Sequence, residues 1–560
     1  MANLSAHLAF LYGADEVPRL IPRVEKLIAL HHARIPVREY KLTEQDSILI
    51  TYGDQVQDPN EKPLRTLTAF CKQYLSGVIH GIHILPFFPW SSDDGFSVVD
   101  YRKVDSNLGN WEDIFSLQNH FHLMFDGVIN HISSQSAWFK SFLRGEPPYS
   151  DYFIATEGSP DLSKVVRPRT LPLLTTFETS SGEKRVWTTF SSDQIDLNYK
   201  NPEVLLEILD VLLLYVEHGA TFIRLDAIAY LWKEIGTTCI HLPQTHQVIQ
   251  FLRLALNEVA PHVQLITETN VPHADNISYF GDGTNEAQLV YNFALPPLTL
   301  HTFHTGDSRV LSNWAKTLTL PSNKTTFFNF LASHDGIGIN PARGILSEDE
   351  IDSLVRKAIE HNGLISYKQN SDGSQSPYEM NINYFDALSN PSANESLDLQ
   401  VERFIASQAI MLSLVGVPGI YFHSLFGSRG WIEGVKQTGH NRTINREKCQ
   451  LGQLQKELAD ENSLRSKVFR RYRQLLLARR SSSAFHPHGA QKILDYHSSV
   501  FAIERISPDG KSRVACLHNV SIKPVTFSTD YKSGTDLFTD QPLQVSSIML
   551  EPYQFLWVNL

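Results

Sequence analysis

The sequence predicts an α/β fold in which eight parallel strands close into a (β/α)8 TIM barrel. Short apolar runs recur along the chain, helix-like segments separate them, and several runs end in a polar residue. Continuous apolar character is expected of strands that are buried on both faces, and alternation with helices indicates a parallel sheet. Eight units favour a closed barrel over an open sheet. The predicted strands lie within Ser47–Asp54, Val78–Pro86, His122–His131, Ala220–Ala227, Gln264–Asn270, Leu289–Leu295, Thr326–Asp335 and Gly416–His423.

The chain of 560 residues is too long for one ordinary core. We expect an N-terminal helical extension in residues 1–45, a catalytic barrel in residues 46–489 and an antiparallel β domain in residues 490–560. Two intervals exceed normal loops. We therefore predict an inserted subdomain over residues 132–198 and an acceptor-loop insertion over residues 337–399, in which Gln369–Pro377 is expected to be a mobile loop.

Composition and charge exclude several classes of function. The net charge of −11 disfavours nucleic acid and anionic membranes as partners. No basic leader or long apolar segment is evident, so we expect a cytoplasmic protein. The four cysteines form no CxxC pair, which argues against a zinc site or a disulfide framework. The sequence leaves the oligomeric state open.

Polar residues follow several predicted strands, at the edge of the barrel where TIM-barrel chemistry takes place. Retaining cleavage of a glycosidic bond requires two carboxylates at such an edge. Strand alternation places Arg224 and Asp226 on the same side of one strand, and the arginine is expected to keep the aspartate ionised. A simple ion pair at a strand end is an equally weighted interpretation.

Three further segments offer candidate residues. Glu268 directly follows an apolar strand, although a lone glutamate there is more often a helix N-terminal residue or a solvated charge. In the DxxxNH run Phe125–His131, we expect His131 to bind a sugar hydroxyl and the other polar residues to organise the loop. His334 and Asp335 would together chelate vicinal hydroxyls of a glucose ring, or the histidine would merely be capped by its neighbour.

The order of these motifs on successive strands resembles the α-amylase superfamily, glycoside hydrolase family 13. The order is DxxxNH, then RxD, then a strand-end Glu, then HD. The resemblance implies that Asp226 is the nucleophile, Glu268 the general acid/base and Asp335 the stabiliser of the transition state. It also implies that Arg224, His131 and His334 belong to the glucose subsite.

A narrower resemblance links the chain to the sucrose phosphorylase branch of that family. It rests on Gly81–Phe88, the DDGF run that begins at Asp93, and Val99–Tyr101. It implies that Asp93 binds the far hydroxyls of glucose. The NRTINR run is similar to the GRDINR segment of the branch and places Arg442 at its first arginine, although Asn and Thr replace Gly and Asp. Arg169 is similar to an arginine that approaches phosphate.

The acceptor loops depart from those of sucrose enzymes. Thr269–His273 replaces a region that there carries a Val-His pair, and Pro377–Asn381 replaces Leu-Tyr-Gln-Val-Asn. Both segments, with Asn276–Asn285, resemble glucosylglycerate phosphorylases of the same branch. We therefore expect Tyr378 and Glu379 to contribute to substrate binding. Because an ionised Glu379 would repel a carboxylate, it must accept from a glycerate hydroxyl or point away.

The predicted function is a retaining glycoside phosphorylase that converts 2-O-α-D-glucosyl-D-glycerate and inorganic phosphate into α-D-glucose 1-phosphate and D-glycerate. No metal or organic cofactor is expected. A sucrose phosphorylase or glucosylglycerol phosphorylase of the same fold stays an alternative. An α-glucoside hydrolase is another, and Arg169 and Arg442 argue against it because a phosphate dianion needs compensating charge. The alternative from another class is a non-catalytic sugar-binding protein.

Overall fold

The computed structural model describes residues 2–370 and 372–560, and a closed barrel of eight parallel strands lies at its centre. All eight predicted strands are present, which confirms the predicted fold class. The strands are shorter than the apolar runs, because polar residues at the carboxyl ends leave the sheet and form loops. The barrel strands are β1 Ile48–Thr51, β2 Gly81–Ile84, β3 His122–Gly127, β4 Ala220–Leu225, β5 Gln264–Thr267, β6 Leu289–Tyr291, β7 Thr326–Asn329 and β8 Val417–Tyr421.

Each barrel strand pairs in parallel with its neighbours in chain order, and β8 pairs with β1 to close the sheet. In β4, Arg224 lies opposite Asp126 of β3 on one side and Ile266 of β5 on the other. Strand residues of the barrel are almost entirely buried, as expected where helices cover the outside. The register therefore brings the polar ends of β3, β4 and β5 to one edge.

Helices surround the barrel and supply the return connections. Two of them, Pro202–Glu217 and Pro243–Val259, carry proline near the first position, where no intrahelical hydrogen bond is lost. The helices are Ala2–Tyr12, Val17–His32, Pro63–Leu75, Trp111–Gln118, Ala137–Arg144, Pro202–Glu217, Pro243–Val259, His273–Ile277, Leu295–Thr305, Arg309–Ala315, Glu348–Glu360, Tyr384–Leu388, Leu397–Ser413, Phe422–Leu425, Ile432–Thr438, Leu451–Ala459 and Leu464–Arg480.

Two long connections at the carboxyl edge of the barrel contain their own strands. Between β3 and β4 the strands are His131–Ser133, Ala155–Thr156, Leu174–Thr179, Gly182–Trp187 and Gln194–Asp196. After β7, Ile337–Gly338, Leu364–Gln369 and Gln375–Asn381 form a three-stranded sheet. The loop predicted over Gln369–Pro377 is shorter in the structure, because cross-strand pairs extend to Gln369 and Gln375 and place both ends of that segment in strands. Ser371 of that segment lies outside the described residues.

The chain ends in antiparallel strands, as predicted. A six-stranded sheet and a separate two-stranded sheet pack around an apolar cluster that includes Leu517 and Phe527. The N-terminal helices pack on the barrel helices, and His31 lies between the Asp210 and Glu217 carboxylates. Within residues 2–370 and 372–560, no helix is long and apolar enough to cross a membrane. The strands of the C-terminal sheets are Ala490–His497, Val500–Ile506, Arg513–Asn519, Val525–Ser528, Ser533–Asp536, Pro542–Gln544, Ser547–Leu550 and Phe555–Asn559. Elsewhere in the chain, Val56–Gln57 and Cys449–Gln450 form a separate two-stranded sheet.

Candidate active site

A cleft lies at the carboxyl edge of the barrel. It brings together nine of the predicted residues from well-separated parts of the chain. Arg224 and Glu379 are buried behind its surface and do not line it. The predicted residues that line the cleft are Asp93, His131, Arg169, Asp226, Glu268, His334, Asp335, Tyr378 and Arg442.

Arg224 connects the carboxylates beneath the cleft. One of its terminal nitrogens lies 2.5 Å from Oδ1 of Asp126 and 2.8 Å from Oδ1 of Asp226. The other lies 3.9 Å from the Glu268 carboxylate. The Asp126 carboxylate also bonds Nε2 of His83 at 2.7 Å, so both Arg224 and His83 contact it. Asp126 therefore joins His83 of β2 to Arg224 of β4 and orients the Arg224 guanidinium.

The two strand-end carboxylates have perturbed acidities. Burial raises the pKa of Asp226 to about 6, and the positive charge of Arg224 offsets this only in part. Burial also raises the pKa of Glu268 to about 7, and the nearby negative charge of Asp226 adds to the effect. Arg224 favours the ionised form of Asp226, as the sequence suggested, but burial has the larger effect on its pKa. Near neutral pH the first group is mainly ionised while the second still holds a proton on a substantial fraction of molecules.

The residue after Asp226 has an unusual backbone conformation. Ala227 has a φ of 49°, in the left-handed region that is costly for a residue with a Cβ atom. In this conformation its N–H donates to Oε2 of Glu268 at 2.9 Å. The turn after β4 therefore links the two carboxylates and fixes the position of Glu268.

One end of the cleft is built around the DDGF turn. Asp93 and Asp94 both have positive φ angles, and Arg446 lies 3.2 Å from the Asp93 carboxylate and 2.6 Å from that of Asp94. Burial opposes ionisation of Asp93, but the charges of Arg446 and Arg442 outweigh it and lower its pKa. At Gly95 a Cβ atom would lie 2.5 Å from the carbonyl oxygen of Pro86, so only glycine fits this turn.

The two predicted histidines lie beside that turn. Nε2 of His131 is 2.9 Å from the carbonyl oxygen of Phe96, and since a carbonyl only accepts, Nε2 carries the proton. The His334 ring stacks on the Phe96 ring with centroids 4.7 Å apart. Burial lowers the pKa of both imidazoles, which are therefore neutral at physiological pH. Nε2 of His334 lies 3.5 Å from the Asp335 carboxylate, so the predicted His-Asp pair is close in space.

Two arginines in different environments also line the cleft. Arg442 donates from Nε and from one terminal nitrogen to Glu379 at 3.0 and 2.7 Å, and its other terminal nitrogen lies 2.5 Å from Asp335. The Arg169 guanidinium lies 5.6 Å from the ring centroid of Tyr378 and 3.9 Å from the Glu379 carboxylate. Arg169 is therefore much less constrained by carboxylates than Arg442.

Sequence reasoning missed several residues of the site. Arg446 ends the NRTINR run and was not singled out, although a charged residue within a recognised motif was an available signal. Gln194 comes from the insertion between β3 and β4 and reaches Phe96 O at 3.2 Å, with no motif to mark it. The other lining residues outside the prediction are Phe96, Phe190, Ala227, Ala229, Tyr230, Thr269 and Asn270.

Comparisons with known proteins agree with this arrangement. A sequence model described as the α-amylase catalytic domain matches residues 73–339. The chain is 50% identical over 556 residues to the glucosylglycerate phosphorylase of Allomeiothermus silvanus, covering 99% of this chain and 98% of the relative. It is 46% identical over 562 residues to that of Escherichia coli, covering 100% of both chains. Among solved structures, sucrose 6F-phosphate phosphorylase from Thermoanaerobacter thermosaccharolyticum superposes with a TM-score of 0.75 at 25% identity, covering 91% of this chain and all of the other.

These findings confirm the resemblance on which the sequence prediction rested, including its narrower part. The similarity extends over the whole chain and is not confined to the barrel core. The chain belongs to the α-amylase family, glycoside hydrolase family 13, within the group that contains glucosylglycerate phosphorylases.

Proposed function

We propose that the protein is a retaining phosphorylase that converts 2-O-α-D-glucosyl-D-glycerate and inorganic phosphate into α-D-glucose 1-phosphate and D-glycerate. The observation that carries this proposal is one cleft in which two buried carboxylates adjoin two guanidinium groups. The carboxylates suit glycosidic bond cleavage, and the guanidinium groups suit an anionic nucleophile. The name shared by the two relatives supports the choice of glycerate as acceptor.

In the first step, a carboxylate oxygen of Asp226 attacks the anomeric carbon and the bond to glycerate breaks. The proton of Glu268 passes to the departing oxygen, so glycerate leaves with its hydroxyl restored. The raised pKa of Glu268 suits this role, because the group must hold its proton near neutral pH. The product of this step is a β-glucosyl ester of Asp226.

In the second step, phosphate attacks the same carbon and Asp226 leaves as a carboxylate. Glu268, now ionised, takes the proton of an incoming hydrogen phosphate. Two inversions give net retention and release α-D-glucose 1-phosphate. We assign the phosphate charge to Arg169 and to those N–H groups of Arg442 that do not face carboxylates, since a guanidinium has five N–H donors and the three contacts with carboxylates leave two of them.

The end of the cleft near the DDGF turn fits the glucose ring. Asp93 accepts from the far hydroxyls, and neutral His131 and His334 exchange hydrogen bonds with hydroxyls nearer the scissile bond. Asp335 places a negative charge beside the anomeric carbon, where positive charge develops in the transition state. We also propose that residues 46–489 are the catalytic unit, with residues 1–45 and 490–560 supporting it.

Hydrolysis is the second candidate reaction, and the open environment of Arg169 argues against it. A water nucleophile has no use for the Arg169 guanidinium, whose charge is offset only weakly by the Glu379 carboxylate at 3.9 Å. A non-catalytic role is disfavoured because sugar binding alone would not require a carboxyl group with the raised pKa of Glu268.

The acceptor is tested by comparing kcat/KM for phosphorolysis of glucosylglycerate, glucosylglycerol, sucrose and sucrose 6′-phosphate. We expect glucosylglycerate to give the highest value. A preference for either sucrose substrate would refute the acceptor assignment and leave the phosphorylase reaction standing.

A further inference from the structure

Glu379 has contacts that do not suit a residue that binds the acceptor. It is completely buried on the strand Gln375–Asn381, behind the surface of the cleft. Its carboxylate accepts from Nε and a terminal nitrogen of Arg442 and from the backbone N–H of Gly336 at 2.9 Å. These three bonds use both carboxylate oxygens. Because the Glu379 side chain has no exposed surface, a glycerate hydroxyl in the cleft does not reach it.

The partners of Glu379 converge on Asp335. Gly336 directly follows Asp335 in the chain, so Glu379 holds the backbone next to it. Arg442 lies between the two carboxylates, with one terminal nitrogen 2.5 Å from Oδ1 of Asp335. The same glutamate therefore restrains Asp335 through the main chain and through an arginine side chain.

The charge of Glu379 is as important as its shape. Burial disfavours its ionised form, but the guanidinium groups of Arg442 and Arg169 outweigh burial and lower its pKa. The two-point contact also requires two accepting oxygens that face the planar guanidinium. An amide in the same place would present one acceptor and one donor, and the donor would face the N–H groups of Arg442.

We propose that Glu379 is a positioning residue that acts through Arg442 to hold Asp335 beside the anomeric carbon, and that it does not contact the acceptor. This inference rests on the proposed function, because it assigns a task within that reaction. It predicts that Glu379 matters for formation of the glucosyl-enzyme from any donor, including donors that have no glycerate.

A donor without an acceptor portion separates the two roles. The glucosyl group of α-D-glucosyl fluoride fills the glucose end of the cleft, and fluoride is the leaving group. Its kcat/KM reports the steps up to formation of the glucosyl-enzyme. A residue that binds only glycerate has no influence on this value, whereas a residue that positions Asp335 does.

The experiment measures fluoride release by Glu379→Gln, Arg442→Lys and the double variant in saturating phosphate. We expect kcat/KM for glucosyl fluoride to fall on the order of 100-fold in Glu379→Gln, since a displacement near 1 Å at the reacting centre has such an effect. Because both residues act in one chain of contacts, the double variant should be within about threefold of the more damaged single variant. Losses in the double variant that multiply would overturn the claim that Glu379 acts through Arg442.

The matched control is Glu504→Gln in the C-terminal sheet. Glu504 is also buried and bonded to an arginine, with 2.6 Å between its carboxylate and Nε of Arg513, but it lies outside the cleft. We expect this variant to retain wild-type kcat/KM. If Glu379→Gln lacks a cooperative thermal transition, Glu379→Asp, which keeps the charge and shortens its reach, takes its place in the cycle. Unchanged fluoride release by a folded Glu379 variant, with weaker use of glucosylglycerate, would restore the acceptor-binding role.

Failure of the proposed function gives a different result. In that case the wild-type protein itself would not make glucose 1-phosphate from glucosyl fluoride and phosphate. If the wild-type protein makes it and the variants behave independently, only the positioning role of Glu379 is overturned.

Discussion

The pH dependence of kcat/KM follows from the environments of Asp226 and Glu268. Phosphorolysis requires the first carboxyl group ionised and the second protonated in the free enzyme. With pKa values of about 6 and about 7, the profile should be bell-shaped with its maximum near pH 6.5. Because the two groups are neighbours, the limbs report the titration of the pair as a whole.

The size of the effect follows from these two values. Well outside the two limbs the population that carries the required protons falls about tenfold per pH unit, so kcat/KM two units from the maximum should be lower by on the order of tenfold or more. The loss of activity on the acid side follows protonation of the nucleophile. The loss on the alkaline side follows ionisation of the acid.

The assay measures the initial rate of glucose 1-phosphate formation from glucosylglycerate, at a substrate concentration well below KM, between pH 4.5 and 8.5. Circular dichroism first shows that the fold persists over this pH range. A parallel series uses Glu268→Gln with glucosyl fluoride, whose leaving group needs no proton. The variant should lose the alkaline limb and keep the acid limb, since only Asp226 then titrates. An alkaline limb that persists unchanged in Glu268→Gln would refute the assignment of the acid.

Three further predictions concern single residues. Asp226→Asn should lower kcat by at least about 10⁴-fold with an unchanged circular dichroism spectrum, because the near-isosteric amide is a poor nucleophile; near-normal turnover in a preparation free of deamidated protein would contradict the role. Arg169→Ala should raise KM for phosphate about 10-fold to 100-fold, because the variant loses a charge-assisted hydrogen bond to phosphate. Hydrolysis of glucosyl fluoride without phosphate should change little. Equal losses in both reactions would place Arg169 in the glucose subsite. Arg224→Met should lower the free energy of unfolding in urea by about 3–5 kcal/mol, because Asp126 and Asp226 lose their buried counter-charge; an unchanged midpoint would show that the carboxylates are neutral in the folded state.

Local sequence patterns identified the barrel because its strands are marked by burial on both faces. Apolar runs and strand-end polar residues are local signals, so all eight strands and the positions of Asp226 and Glu268 followed from them. The hairpin Leu364–Asn381 was only partly predicted, because its tip is polar and its pairing depends on contacts that no local pattern records.

The roles of charged residues were less predictable than their positions. A motif places Arg442 near the cleft, but only the three-dimensional arrangement shows that two carboxylates already engage it. In the same way, Tyr378 and Glu379 are adjacent in sequence, but successive side chains of a strand point to opposite faces. Tyr378 therefore lines the cleft, and Glu379 is buried in the protein. Such details depend on how distant segments meet.

The central claim is that phosphate, and not water, resolves a glucosyl-enzyme with net retention. The most direct measurement incubates the wild-type protein with 2-O-α-D-glucosyl-D-glycerate, with and without inorganic phosphate, and follows the products by proton and phosphorus NMR. We predict equimolar D-glycerate and α-D-glucose 1-phosphate that form only when phosphate is present. Free glucose released at the same rate with and without phosphate, or a β-configured sugar phosphate, would contradict it.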